Sequence, residues 1–191
     1  MGFIIIMKRI SLKFKGKEKK LTEFEVPEKI VQRERTKWQL SCGAVIYHMD
    51  KGVPYYLLLK YPTYWGFVKG MVEPGETEEQ TLNRETSEEA GIYDLQIFPH
   101  FRQVQRYFYR FEGKLIRKEA VYLLAKTESW TVRISHEHEN YRWCTIDEAI
   151  QLVKRIKANV ILLRKADDFI KHFYNKQSKM ITEFINRDSI K

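Results

Sequence analysis

Apolar and polar residues alternate near the start of the chain, with Ile10, Leu12 and Phe14 set against Arg9, Ser11, Lys13 and Lys15. This is the period-two pattern of a strand. Lys15-Gly16-Lys17 offers a turn, and Phe24 and Val26 alternate with glutamates before Pro27, so a hairpin is expected there. Residues 28–37 read as a charged helical or linking segment. The character changes at Trp38. Ser41 to Tyr47 and Pro54 to Lys60 are β-rich apolar runs around the turn signal Asp50-Lys51-Gly52. A polar and aromatic loop through Trp65 leads to Gly70. Residues 77–90 are expected to be helical, because Thr77 and Gln80 form a capping box and Gly91 stands where a helix stops. Three more strand-like runs follow: Leu95 to Phe98, Phe101 to Phe111 and Leu115 to Ala125. Thr145 and Glu148 then cap a helix running to about Lys157. Beyond it, residues 159–175 and 178–187 carry Leu163, Ile170, Phe173, Ile181, Phe184 and Ile185 at helical spacing. The order of segments predicts a mixed sheet with helices before, within and after it, α/β or α+β.

At 191 residues with 43% hydrophobic content, one domain with appendages is expected. The longest purely apolar runs, Phe3 to Met7 and Tyr55 to Leu59, are far too short to span a membrane. The first of them is also too short for the apolar core of a signal peptide. Cys42 and Cys144 are too few and too far apart for a disulfide framework or a zinc site. They read as buried thiols in a reduced, cytoplasmic protein. The net charge of +9 is unevenly placed: residues 1–37 carry +6, residues 154–191 carry +6, and the middle carries −3. Basic ends flanking an acidic centre either steer a polyanion toward it or are solvated surface.

Stability alone does not explain the predicted helix at 77–90. Glu85, Glu88 and Glu89 are spaced i, i+3, i+4, which sets three carboxylates on one face. Like charges so placed cost about 0.2–0.5 kcal/mol per pair. The helix dipole adds a penalty of about 0.3–1 kcal/mol for each negative charge near the C-terminal end. Glu78 and Glu79 lie in the first turn, where the dipole favours them. A divalent cation would reverse both penalties, and clustered hard oxygen ligands suit Mg²⁺ or Mn²⁺.

The stretch Gly70-Met-Val-Glu-Pro-Gly-Glu76, seven residues, then Arg84-Glu85-Thr86-Ser87-Glu88-Glu89-Ala90-Gly91-Ile92 resembles the Nudix box. Every fixed position matches over 23 residues, with Thr86 in a slot that is ordinarily apolar. The resemblance covers roughly residues 38–157. It implies the Nudix fold, an α/β/α sandwich with a mixed sheet, between a strand-rich basic extension (1–37) and a helical basic extension (158–191). It also implies that Glu85, Glu88 and Glu89 ligate the metal with help from the carbonyl of Gly70, and that one of the three, Glu85 being the first choice, acts on the attacking water. Arg84 would be structural, pairing with Glu76.

Outside the box, Ser135 to Trp143, Lys118 to Ala125 and Trp65 to Gly70 are similar to segments of the asymmetric diadenosine tetraphosphate hydrolases. That likeness points to Glu137, with Glu139 as second choice, as a further metal ligand. Lys69 and Lys118 would grip phosphate oxygens, and the aromatics Trp65, Tyr107, Tyr109 and Tyr122 would contact the bases. His136 and His138 read as surface or supporting residues. Met71 departs from the histidine frequent in that subfamily. The expected reaction is metal-dependent cleavage of a phosphoanhydride in a nucleoside polyphosphate, diadenosine tetraphosphate to AMP and ATP. One alternative is pyrophosphate or cap removal from RNA 5′ ends, which the basic extensions would suit. Another is a nucleotide-binding module without catalysis. The apolar faces of the last helices either pack on the core or pair two copies in a homodimer.

Overall fold

The computed structural model describes residues 37–188; the hairpin expected within residues 9–26 lies outside them. The strands are β1 (Lys37–Asp50), β2 (Val53–Lys60), β3 (Trp65–Gly66), β4 (Lys69–Met71), β5 (Gln96–Phe111), β6 (Lys114–Lys126) and β7 (Asn140–Cys144). The helices are α1 (Glu78–Ala90), α2 (Ile146–Val153) and α3 (Lys157–Asp188). The sheet runs β3-β2-β1-β6-β5, with β4 added to β1 and β7 added to β2. β1 and β6 are parallel and the other pairs antiparallel, so the sheet is mixed, as the segment order predicts.

Alternation along β1 shows why two helical layers are needed. Cys42, Ala44 and Ile46 face one side, where they pack with Leu57, Leu59, Val121, Leu123 and Leu82 of α1. Val45 and Tyr47 face the other, where they join Leu58, Tyr122 and Leu124 against Leu163, Ala166 and Ile170 of α3. A strand buried on both faces loses the apolar–polar alternation of a surface strand and reads as a continuous apolar run. Both cysteines are buried and unpaired, and burial pushes their thiols up, Cys42 to about 12 and Cys144 to about 11.

Three element boundaries differ from the sequence expectation, the first being the helix expected to run to about Lys157, which ends at Val153. The runs expected at Leu95 to Phe98 and Phe101 to Phe111 merge into one long strand from Gln96 to Phe111, interrupted by a shift in register between Ile97 and Arg102. An irregularity of this kind breaks the period-two signal without ending the strand. The two helical stretches after residue 158 form a single helix of 32 residues. Its first half is held to the sheet by Leu163, Ile170 and Phe173, and the polar stretch around Gln177 and Ser178 continues it instead of breaking it. No helix among the described residues is long and apolar enough to cross a membrane.

A polar contact also fastens α3. The buried Tyr56 hydroxyl of β2 donates to Asp167 Oδ1 at 2.9 Å, and Asp167 also pairs with Lys171 at 2.7 Å. Tyr56→Phe should leave a buried carboxylate short of a donor and destabilise the protein by about 1–3 kcal/mol, read as a lower urea midpoint with unchanged slope. An unchanged midpoint would mean that the contact adds nothing to the docking of α3.

Candidate active site

The loop between β4 and α1 brings the glutamate face to the sheet. Thr77 caps α1, with its side chain accepting from the Gln80 N–H and the Gln80 side chain accepting from the Thr77 N–H. Gly91 ends the helix in the left-handed conformation, φ 65°, which costs a glycine nothing. Between these caps, Glu85 and Glu89 are buried and Glu88 is exposed. The carboxylate of Glu85 rests against the α-carbon of Gly70, in space that any β-carbon there would fill. Glu89 Oε2 accepts the backbone N–H of Lys69 at 3.1 Å. Two successive residues of β4 thus meet carboxylates of α1.

Arg84 organises the loop. Its guanidinium donates from Nε and Nη2 to the two oxygens of Glu76, at 2.7 and 3.0 Å, and from Nη2 to the Met71 carbonyl at 2.9 Å. Nη1 donates to Glu85 Oε1 at 2.7 Å and Glu88 Oε2 at 3.3 Å. The Arg84 hydrogen bonds hold the Glu76 carboxyl down to about 2, aided by backbone and Thr81 hydroxyl donors. Glu85 feels opposing influences: burial raises its pKa, Arg84 lowers it, and the upward push prevails. Among the described residues no lysine or arginine side chain pairs with Glu89. Burial pushes it up to about 8, the Lys69 N–H opposes this, and the charges of Glu85 and Glu137 add to the push.

The opposite wall comes from the loop before β7. Its Ser135 N–H donates to the Glu89 carbonyl at 3.2 Å. His138 is buried, with Nδ1 3.1 Å from Ser135 Oγ and its ring edge-on to Tyr61. Its Nε2 has no hydrogen-bond partner among the described residues and lies 3.9 Å from Glu89 Oε2. His136 is exposed. Glu137 is also exposed, whereas Glu139 is engaged by Lys60 at 3.1 Å.

Among the described residues no three acidic, histidine or cysteine side chains converge at metal-ligand spacing. Arg84 Nη1 instead stands between Glu85 and Glu88, a cation inside a carboxylate set. The donor chemistry suits a hard divalent ion: oxygen ligands, one of them buried where burial disfavours its charge, beside a glycine that admits a carboxylate to the backbone.

A cavity of about 580 Å³ opens beside this edge, walled by Tyr64, Phe67, Tyr107 and Tyr122 and closed by Asn159 and Lys165 of α3. Lys69 lines it too. Within it Lys165 donates to Gln103 Oε1 at 2.7 Å and Gln105 donates to Asn159 at 3.4 Å. Of the residues expected to touch substrate, the cavity gathers Lys69, Tyr107 and Tyr122. Trp65 lines a separate pocket of about 230 Å³ that shares Tyr64 and Ile156 with the large one. The Tyr109 hydroxyl donates to Gln39 at 2.7 Å. Lys118 is buried, reaches Met71 Sδ at 2.9 Å and is pushed down to about 8 by burial and by Lys69. Sequence reasoning missed Tyr64, Asn159 and Lys165. The last two lie in a stretch read only as a packing helix, and no motif marks them.

A family profile described as NUDIX domain matches residues 37–164. The chain belongs to the NUDIX family. It is an enzyme of the hydrolase class with the Nudix fold. Its asymmetrical bis(5′-nucleosyl)-tetraphosphatase relative from Caenorhabditis elegans is 38% identical over 137 residues, covering 70% of this chain and 97% of that protein. The mouse protein of the same name is 36% identical, with 63% and 89% covered. A crystal structure of a C. elegans Ap4A hydrolase binary complex superposes with a TM-score of 0.61 at 36% identity, covering 70% of this chain and 98% of that one. An RNA pyrophosphohydrolase of Campylobacter jejuni is more distant, at 23% identity over 59% of this chain and 74% of its own.

Gly70→Ala follows as a direct test. The added methyl should displace the Glu85 carboxylate, and a displacement of about 1 Å in an active site can cost about 100-fold in rate. Hydrolysis should fall by that order while circular dichroism stays native. Full activity would show that the contact is dispensable.

Proposed function

We propose that this Nudix enzyme hydrolyses diadenosine tetraphosphate, or a closely related dinucleoside polyphosphate, to a nucleoside mono- and triphosphate. The observation that carries the reading is the tyrosine-walled cavity placed directly beside the glutamate face of α1, with Lys69 belonging to both. The likeness to the tetraphosphatases over nearly their whole length supports it. Tyrosine faces suit a purine base. Lys69 and Lys118 are the proposed grips on phosphate oxygens. Trp65, Tyr107, Tyr109 and Tyr122 remain the proposed aromatic contacts, Tyr109 through its place beside Tyr107.

Glu85, Glu88 and Glu89 would hold Mg²⁺ or Mn²⁺, with the Gly70 carbonyl and Glu137 completing the set. When bound, the ion supplies positive charge against the polyphosphate and acidifies water at the site. The water oxygen bonds to phosphorus in line with the leaving phosphate as the bridging P–O bond breaks. Glu85 takes the proton, its basicity set by burial against Arg84. Arg84 and Glu76 hold the loop so that the carboxylates stay in place.

Incubation with diadenosine tetraphosphate and Mg²⁺ should release AMP and ATP in equal amounts. EDTA, or a Glu88→Gln, Glu89→Gln double substitution, should lower the rate by at least about 100-fold. Equal or faster turnover of 5′-triphosphorylated RNA would instead favour the pyrophosphohydrolase reading. Lys118 gives a pH signature. Only its protonated form attracts phosphate, so its advantage should fade as pH rises through about 8. The ratio of kcat/KM between wild type and Lys118→Arg, whose guanidinium stays charged, should decline across that range. A ratio flat with pH would remove Lys118 from the phosphate grip.

A further inference from the structure

We propose that the outer end of the β5–β6 hairpin, on the face it shares with α1, is a binding surface for single-stranded RNA. Register fixes the composition of this surface. Arg117 of β6 is the partner of Trp38 in β1 and of Phe108 in β5. The three side chains therefore form one row across three strands and emerge on the same face. In the next row outward, Arg110 is paired with Leu115. One row inward, Arg106, Glu119 and Leu40 stand in line, and Leu40 packs with the α1 core. α1 does not extend over the outer rows, so Trp38 is 55% exposed and Phe108 62% exposed.

The charge on this face is cationic and largely uncompensated. Arg106 is taken up by Glu119 at 2.8 Å. Arg110 and Arg117 are exposed and make no ion pair among the described residues. An arginine set between two exposed aromatic rings offers a phosphate contact flanked by two stacking shelves. Proteins that hold single strands combine a positive track with aromatic rings on which bases stack, and unstacked bases are available in single strands but not in duplexes.

A second copy docking through the same face would bring the same cationic charge and repel it. The basic residues 1–37, net +6, carry the same sign. A polyanion with flat apolar faces matches both halves of the chemistry. RNA is the polyanion whose 5′ end carries the kind of phosphoanhydride that a Nudix hydrolase cuts. The surface is nevertheless separate from the cavity: Arg117 and Lys118 are successive in β6 and point to opposite faces. The inference stands whether or not diadenosine tetraphosphate is the substrate.

The test uses the full chain in EDTA with a short 5′-hydroxyl oligouridine, which presents no phosphoanhydride to the active site. Fluorescence anisotropy should show binding that Trp38→Ala and Phe108→Ala each weaken about tenfold or more, while Trp38→Phe restores most of it. Arg110→Gln and Arg117→Gln should each flatten the salt dependence by about 0.7 in the log–log slope. All five variants should keep wild-type melting temperature and wild-type hydrolysis of a nucleoside polyphosphate. Three results would overturn the proposal: unchanged RNA binding in Trp38→Ala and Phe108→Ala, equal affinity for a duplex RNA of the same charge, or a concentration-dependent dimer that Phe108→Ala abolishes.

Discussion

One guanidinium holds the catalytic edge together. Arg84 binds Glu76 through two parallel hydrogen bonds, takes the Met71 carbonyl, and with its remaining nitrogen touches Glu85 and Glu88. A planar fork with donors in fixed directions can do this, and a lysine cannot. Without it, the carboxylates along the second half of α1 would repel one another at the helix end least hospitable to negative charge. The loop that carries Gly70 would also lose its anchor to the helix. The same contacts set the electrostatic character of each acid. Glu76 is held far down, Glu85 is balanced between burial and Arg84, and Glu89, out of Arg84's reach, is pushed well up.

The sheet turns this local arrangement into a site. β1 pairs with β4 over Ser41 to Gly43 and with β6 alongside, so Gly70 and Lys118 are held to a common strand. α1 closes one face and α3 the other. The cavity lies between α3 and the sheet, with Tyr107 and Tyr122 on one side and Asn159, Leu162 and Lys165 on the other. The segment that reads as a trailing helix therefore forms one wall of the cavity. The aromatic and basic residues that line the cavity are distributed over strands and α3, while the carboxylates are concentrated in α1.

Legibility in the sequence followed the range of the interactions. The caps of α1, the i, i+3, i+4 glutamates and the Arg84–Glu76 pairing depend on residues close in the chain, and the Nudix resemblance spans that same stretch. The mixed sheet and its helical layers were legible from segment order. The continuity of β5 through the irregularity at residues 97–102 was not, because a register shift erases alternation. Neither was the union of the last two helical stretches, because polar residues at Gln177 and Ser178 resemble a break when burial is unknown. Asn159 and Lys165 were invisible for a different reason. A polar residue on a helix becomes a cavity wall only through where the helix docks, and that is decided by its packing against Val45, Tyr47 and Tyr56, far away in sequence. His138 is buried beside Glu89 by the same kind of long-range packing.

The central claim is that the carboxylates of α1 are kept at a cost to stability that a divalent ion relieves. Thermal unfolding of wild type and Glu89→Gln at pH 9, with EDTA and then with excess Mn²⁺, tests it most directly. The near-isosteric amide can still accept from the Lys69 N–H but carries no charge. The account predicts that Glu89→Gln melts a few degrees above wild type in EDTA, where about 1 kcal/mol corresponds to about 2–4 °C, and that Mn²⁺ raises wild type much more than the variant. A variant that melts below wild type in EDTA, or that gains as much from Mn²⁺, would contradict it.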